Sequence, residues 1–240
     1  TDFSMQLYGF IKESRTFEDH LKNNHQQLEK FYNLPDIKKY FEDVSYPGDE
    51  YYSVNFGFFD IRNPGYPDFN SIIEFYAPFV KPIYDYMRDV QKKRNLSERD
   101  FINMVLFFCQ SIPYEIPPDY IEDRYIFQMY IPPQILVKDS GDCDSKSILC
   151  ASILANSPEY QNGEILFLLL SNGESGHAML AIDINSSRYD SAIDYKGKKY
   201  VILEPTGPMR VTAGTRVLEN YRISRIIPYM KKKIPIILNY

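Results

Sequence analysis

The chain has 240 residues, enough for one domain with its own core or for a domain plus an extension. Hydrophobic residues make up 44% and charged residues 25%, a globular composition; the net charge of −5, with Lys231-Lys232-Lys233 the only tight basic run, argues against a nucleic-acid partner. No stretch of about 18 apolar residues occurs, so no membrane span is expected, and three cysteines without a CxxC pair, beside His20, His25 and His177, make neither a disulfide framework nor a credible metal site; no cofactor is called for.

Residues 14–33 read as a helix, with Phe17, Leu21, Leu28 and Phe31 on one narrow stripe and His20 and His25 on the polar side. A short second helix is expected over 36–44, after Pro35. Residues 45–69 are punctuated by Gly48, Gly57, Gly65, Pro47, Pro64 and Pro67, which reads as loops joining an N-terminal extension (1–69) to the main domain (70–240). Over 70–94, Ile73, Tyr76, Val80, Tyr84, Met87 and Val90 recur at helical spacing; Pro78 and Pro82 predict a shortened or bent early part. Ser97 then caps a strong helix whose buried face is Phe101, Met104, Val105 and Phe108, with Cys109 as a small core residue. From 111 to 140 five prolines and several tyrosines predict an irregular segment bordering a groove, with Tyr114, Tyr125 and Tyr130 on its wall. A helix follows over 144–156. Strands are predicted at 165–170, 178–184, 200–203 and 222–227, separated by the turn signals Ser171-Asn172-Gly173 and Lys196-Gly197-Lys198. Helices followed by antiparallel strands make the chain α+β. Lys231-Lys232-Lys233 is read as a solvated surface. Thr1 opens the sequence without Met, which leaves the compartment open, with a secreted, periplasmic or surface-anchored protein whose leader is removed among the readings.

Three local settings carry chemistry. In Gly141-Asp142-Cys143, Asp142 can cap the following helix and place Cys143 in its first turn, where unpaired amides and the helix dipole favour a thiolate and offer oxyanion donors. Asp142 and Asp144 oppose that by raising the thiol pKa. His177 stands at the start of an apolar strand between the small residues Gly176 and Ala178. Glu204 ends another strand, and Pro205 forces it toward an extended conformation, so its carboxylate can orient the imidazole. Asp183 is the alternative acid. Each residue alone is more often structural; their order and settings together predict a Cys–His–carboxylate site.

Gly-Asp-Cys at 141–143 with Lys146, Gly-His-Ala at 176–178 and Glu-Pro-Thr at 204–206 resemble the three motifs of the transglutaminase-like superfamily. Gln110-Ser111-Ile112-Pro113-Tyr114 resembles the segment preceding the catalytic cysteine in bacterial members. The resemblance spans residues 97–210. It implies a papain-like core with a catalytic helix packed on an antiparallel sheet, Cys143 as nucleophile, His177 as general base and acid, and Glu204 as orienter where the family usually has Asp. It leaves Gln110 either an oxyanion ligand or a loop tie, and implies a protein or peptide substrate. Hydrolysis of a peptide or amide bond is the expected reaction, against glutamine acyl transfer (crosslinking or deamidation) or a non-catalytic module that keeps the fold.

Overall fold

The first described helix gathers most of its apolar residues on one side. A computed structural model describes residues 67–118, 120–121, 124–125, 128–207, 209–215 and 220–231, and the expected helices at 14–33 and 36–44 and nearly all of the 45–69 joint lie outside them. The described residues fall in one compact unit, Phe56–Tyr240. Helix α1 (Phe69–Arg94) begins at an Asp68 cap and buries Phe69, Ile72, Ile73, Tyr76, Ala77, Val80 and Met87. It runs unbroken through Pro78 and Pro82, contrary to the expected shortening. Both prolines lie on the exposed side, where water can solvate the carbonyls that lose a partner. Helix α2 (Glu98–Ser111) starts with the predicted Ser97 cap, closed into a capping box by Asp100. Arg88 of α1 joins the two helices through Glu98 at 2.5 Å.

The 111–140 segment is less irregular than its composition predicts. It contains a small antiparallel pair, β1 (Tyr120–Ile121) with β2 (Arg124–Tyr125), and a helix α3 (Pro132–Lys138). Pro132 and Pro133 open that helix, the one place where the missing N–H costs nothing. Gly141 then pairs with the strand-like stretch at Tyr114, so the chain entering the candidate site is laid beside the chain leaving α2.

Helix α4 (Cys143–Leu154) has no polar side: every residue from Ser145 to Leu154 is buried. That pattern belongs to a central helix, and α4 packs against α1, α2, α3 and the sheet. The sheet is antiparallel, in the order β5-β6-β4-β3-β7, from β3 (Asn162–Ser171), β4 (Gly176–Ile182), β5 (Ala192–Tyr195), β6 (Lys198–Leu203) and β7 (Arg222–Met230). Alternation divides it into two faces. One carries the cluster Leu166, Leu168, Leu170, Met179, Ala181, Tyr200 and Ile202. On β3 the alternate residue Phe167 stacks on Phe69 of α1, with ring centroids 4.2 Å apart. The fold is α+β. Strand β5 was not expected; the Lys196-Gly197 turn that joins it to β6 has both residues at positive φ, 49° and 79°.

Candidate active site

The register sets the site. Leu180 of β4 pairs with Leu203 of β6, so the start of β4 and the end of β6 lie at the same edge of the sheet. His177, second residue of β4, and Glu204, first residue after β6, meet there: His177 Nε2 and Glu204 Oε2 are 2.7 Å apart. Glu204 is 3% exposed, and its other oxygen, Oε1, accepts the Thr206 N–H at 2.9 Å. Asp183, the alternative acid, pairs instead with Lys198 at 2.8 Å.

Cys143 is the first residue of α4, where Asp142 caps the helix by accepting the Ser145 N–H at 3.0 Å and the Ser145 hydroxyl at 2.5 Å. Buried hydroxyl and carboxylate thus satisfy one another, and Asp142 acts as the predicted helix cap. The Ala178 amide, next along from His177, reaches the Cys143 sulfur, and Ser147 of α4 donates to the Ala178 carbonyl at 3.2 Å. The helix that Cys143 opens is therefore tied to the strand of His177. Cys143 is half-buried, whereas Cys109 and Cys150 are fully buried.

The electrostatics correct one expectation. Burial, then the carboxylates of Asp144 and Asp142, push the Cys143 thiol up to about 12. Asp144 Oδ1 accepts from the sulfur at 3.9 Å, and the Asp144 carboxyl is itself pushed up to about 6 by burial and by Asp142. The helix dipole favours the thiolate, but burial together with the anion adjacent in space outweighs it, and the cysteine rests as a thiol.

Gln110 is used as a tie. Its amide donates to the Glu204 carbonyl at 2.7 Å and to the Val211 carbonyl at 3.0 Å, and accepts the Val211 N–H at 3.1 Å. Both N–H groups are thereby engaged, so none is left for an oxyanion. The loop after β6 wraps this side chain so closely that a Cβ on Gly207 would lie 2.4 Å from the Gln110 carbonyl oxygen. Tyr114 is 51% exposed, and its bridge to Gly141 lays it beside the segment that leads into Cys143. Tyr130 is buried, its N–H donating to Ser145 at 2.8 Å; it supports the cap from within instead of forming a wet wall. Tyr125 belongs to β2, and only its backbone is described. Tyr221, which no sequence signal marks, holds Ser175 by a 2.7 Å hydroxyl contact and meets the His177 ring edge to face, 6.0 Å between centroids. Among the described residues no group of three His, Cys, Asp or Glu side chains is placed to hold a metal ion, and no helix is long and apolar enough to cross a membrane.

No family model matches the chain, and no curated protein does. Among solved structures it is similar to LapG of Legionella pneumophila. The calcium-bound form shares 15% identity over 60% of this chain and 72% of that one, at a TM-score of 0.40. The EGTA-treated form shares 15% over 65% and 79%, also at 0.40. A third LapG structure shares 14% over 63% and 86%, at 0.36.

Proposed function

We propose that the chain is a thiol-dependent acyl-transfer enzyme that hydrolyses a peptide or amide bond through Cys143, His177 and Glu204. The observation that carries this is the 2.7 Å contact between His177 Nε2 and Glu204 Oε2, made at the strand residue whose neighbour, Ala178, reaches the Cys143 sulfur. Glu204 occupies Nε2, fixing the tautomer and leaving Nδ1 to exchange protons. Because the thiol rests protonated, His177 acts first as a base. It takes the Sγ proton as sulfur attacks the carbonyl carbon, and the amides opening α4 meet the developing oxyanion. The imidazolium, supported by Glu204, returns the proton to the departing amine as the C–N bond breaks. Water then attacks the thioester, losing its proton to His177, and the carboxylic acid and free thiol are released. An amine in place of water would give crosslinking by the same steps.

The test is turnover of a peptide library by the wild type and by Cys143→Ala, with and without an added primary amine. Cleavage lost in Cys143→Ala and indifferent to the amine supports hydrolysis; amine incorporation supports transfer. Undiminished cleavage by Cys143→Ala overturns the reading. The high thiol pKa favours a second reading, a non-catalytic module, in which no peptide is turned over and no acyl-enzyme forms.

A further inference from the structure

Sheet pairing stops one residue short of Glu204. The last pair that joins β4 to β6 is Leu180 with Leu203. His177 is fixed differently, since it pairs with Leu170 of β3 inside a continuous ladder. On β6, Ile202 turns its backbone away from β4: its N–H donates to the Ser191 carbonyl at 3.0 Å, and its carbonyl accepts the Gly214 N–H at 2.8 Å. Two residues further on, the Glu204 carbonyl is taken by a side chain of α2, the Gln110 amide, at 2.7 Å. The two partners of the His177–Glu204 contact are therefore placed by different neighbours, one by the sheet and the other by a helix.

Arg99, Asn103 and Gln110 stand on one face of α2, at i, i+4 and i+11. Together they hold the loop that leaves β6. Arg99 donates to the Ala213 carbonyl at 3.2 Å and forks onto Asp190 at 3.1 and 2.7 Å. Asn103, buried, accepts the Ala213 N–H at 2.9 Å. Gln110, also buried, engages both polar groups of the Val211 backbone as well as the Glu204 carbonyl. Of the three, Gln110 is the one that touches Glu204. Its amide donates to two carbonyls and accepts one N–H in a setting without water, so a side chain lacking those groups leaves three backbone groups unpaired. Gly207 passes so close to the Gln110 carbonyl that a Cβ would collide with it, which leaves the loop no slack at this point.

We propose that Gln110 is a positioning residue for Glu204: by holding the Glu204 and Val211 backbones against the end of α2, it keeps the Glu204 carboxylate on His177 Nε2. Its effect on turnover rests on the catalytic reading above; its effect on Glu204 rests on the hydrogen bonds alone. Cutting the Gln110 bonds frees Glu204, whereas cutting the Asn103 bond loosens only the far end of the loop, at Ala213. Methionine matches glutamine in length without a donor, and leucine matches asparagine in shape without an acceptor.

The experiment compares the full chain with its Gln110→Met and Asn103→Leu variants, by crystal structure and by kinetics. Both variants should unfold at lower urea. In Gln110→Met the His177 Nε2–Glu204 Oε2 contact should open beyond hydrogen-bond range, to about 3.5 Å or more, and in Asn103→Leu it should hold. The kcat of Gln110→Met should fall about 10- to 100-fold with KM nearly unchanged. Added to Glu204→Gln, the same substitution should cost less than about threefold, because a residue that acts through Glu204 then has nothing left to place. An unchanged contact in Gln110→Met overturns the inference, as does an equal opening in Asn103→Leu, or the same fold-loss of kcat with and without Glu204→Gln, which is a purely structural role. If Gln110→Met does not fold, Gln110→Glu, which keeps the shape and the acceptor for the Val211 N–H but not the doubly donating amide, must open the contact or the inference fails. Absence of turnover in the wild type would count against the cysteine chemistry, and the contact distance would still decide for Gln110.

Discussion

Replacing Asp144 by Asn isolates the larger of the two charges that, after burial, hold Cys143 as a thiol. The two side chains differ little in shape, and Asp144 Oδ1 lies 3.9 Å from the sulfur. A unit charge at that distance disfavours a thiolate by about 1 kcal/mol in water and about 4 kcal/mol at an effective dielectric of about 20. Those limits are roughly 0.7 and 3 pK units, and a half-buried carboxylate falls between them. Thiolate nucleophilicity falls as the pKa falls, with a Brønsted slope of about 0.4–0.5, so roughly half of the gain in thiolate survives as rate. Iodoacetamide at pH 8, where Asp144 is ionised, should therefore modify Cys143 about 2- to 40-fold faster in Asp144→Asn than in the wild type. Mapping by mass spectrometry should find the label at Cys143, because Cys109 and Cys150 are fully buried. An unchanged or slower rate, or equal labelling of the buried cysteines, refutes the reasoning. The same variant tests linkage. The folded Asp144 pKa, about 6, lies above the unfolded value of about 3.9, so protonation contributes stability that is complete below about pH 4 and is lost as the pH rises through about 6. Urea midpoints at pH 4 and pH 7 should differ less in Asp144→Asn than in the wild type.

Glu204→Gln keeps the shape and loses the charge that supports the imidazolium; kcat should fall on the order of 10- to 1,000-fold, less than for Cys143→Ala. Glu204→Asp should also lose activity, because one carboxylate now spans both His177 Nε2 at 2.7 Å and the Thr206 N–H at 2.9 Å, and a side chain one methylene shorter cannot hold both. Full activity in Glu204→Asp would show that the longer side chain is not fitted to the site. Gly207→Ala puts a methyl 2.4 Å from the Gln110 carbonyl oxygen, backbone against backbone, so the loop after β6 must shift. A loss of about 1–3 kcal/mol in urea unfolding, with a fall in kcat, is expected; wild-type stability would mean the loop yields freely.

The motif residues were legible because each announces itself locally. A Gly-Asp pair before a cysteine at a helix start, a histidine between small residues at a strand start, and a glutamate before proline at a strand end are all patterns of a few residues. The structure keeps the cap at Asp142 and joins His177 to Glu204. What stayed hidden depends on partners far along the chain. Gln110 finds Glu204 at a separation of 94 residues, and Lys146 finds the Ile112 carbonyl 34 residues back. Nothing in either neighbourhood names the other. Prolines misled twice and in opposite directions. Pro78 and Pro82 are tolerated because the solvent side of α1 can do without their bonds, while Pro132 and Pro133 start a helix where only a loop was expected. Strand β5 escaped notice because its four residues are only half-buried or exposed and lack an apolar run.

The balance at Cys143 also explains how a half-buried cysteine at a helix start can persist as a thiol. A helix N-terminus stabilises an anion by about 0.3–1 kcal/mol, rising toward 2 in partly buried geometry. One carboxylate at 3.9 Å can match or exceed that, and Asp142 adds to it from the cap. The sequence setting that favours a thiolate is thus cancelled by burial and by the two acids that flank it, and on the proposed reading the reactive species is withheld until a base removes the proton. Oxidation and alkylation follow the thiolate, so on the proposed reading the site trades resting reactivity for protection and makes the cysteine depend on His177 at the moment of attack. The dependence fixes an order of severity. Losing the base should approach the effect of losing the nucleophile, since no preformed thiolate remains to carry residual turnover. A His177→Ala variant that retained more than a small percentage of wild-type kcat at neutral pH would show that the thiolate forms without it, and that the acids at 142 and 144 do not hold the proton as the geometry requires.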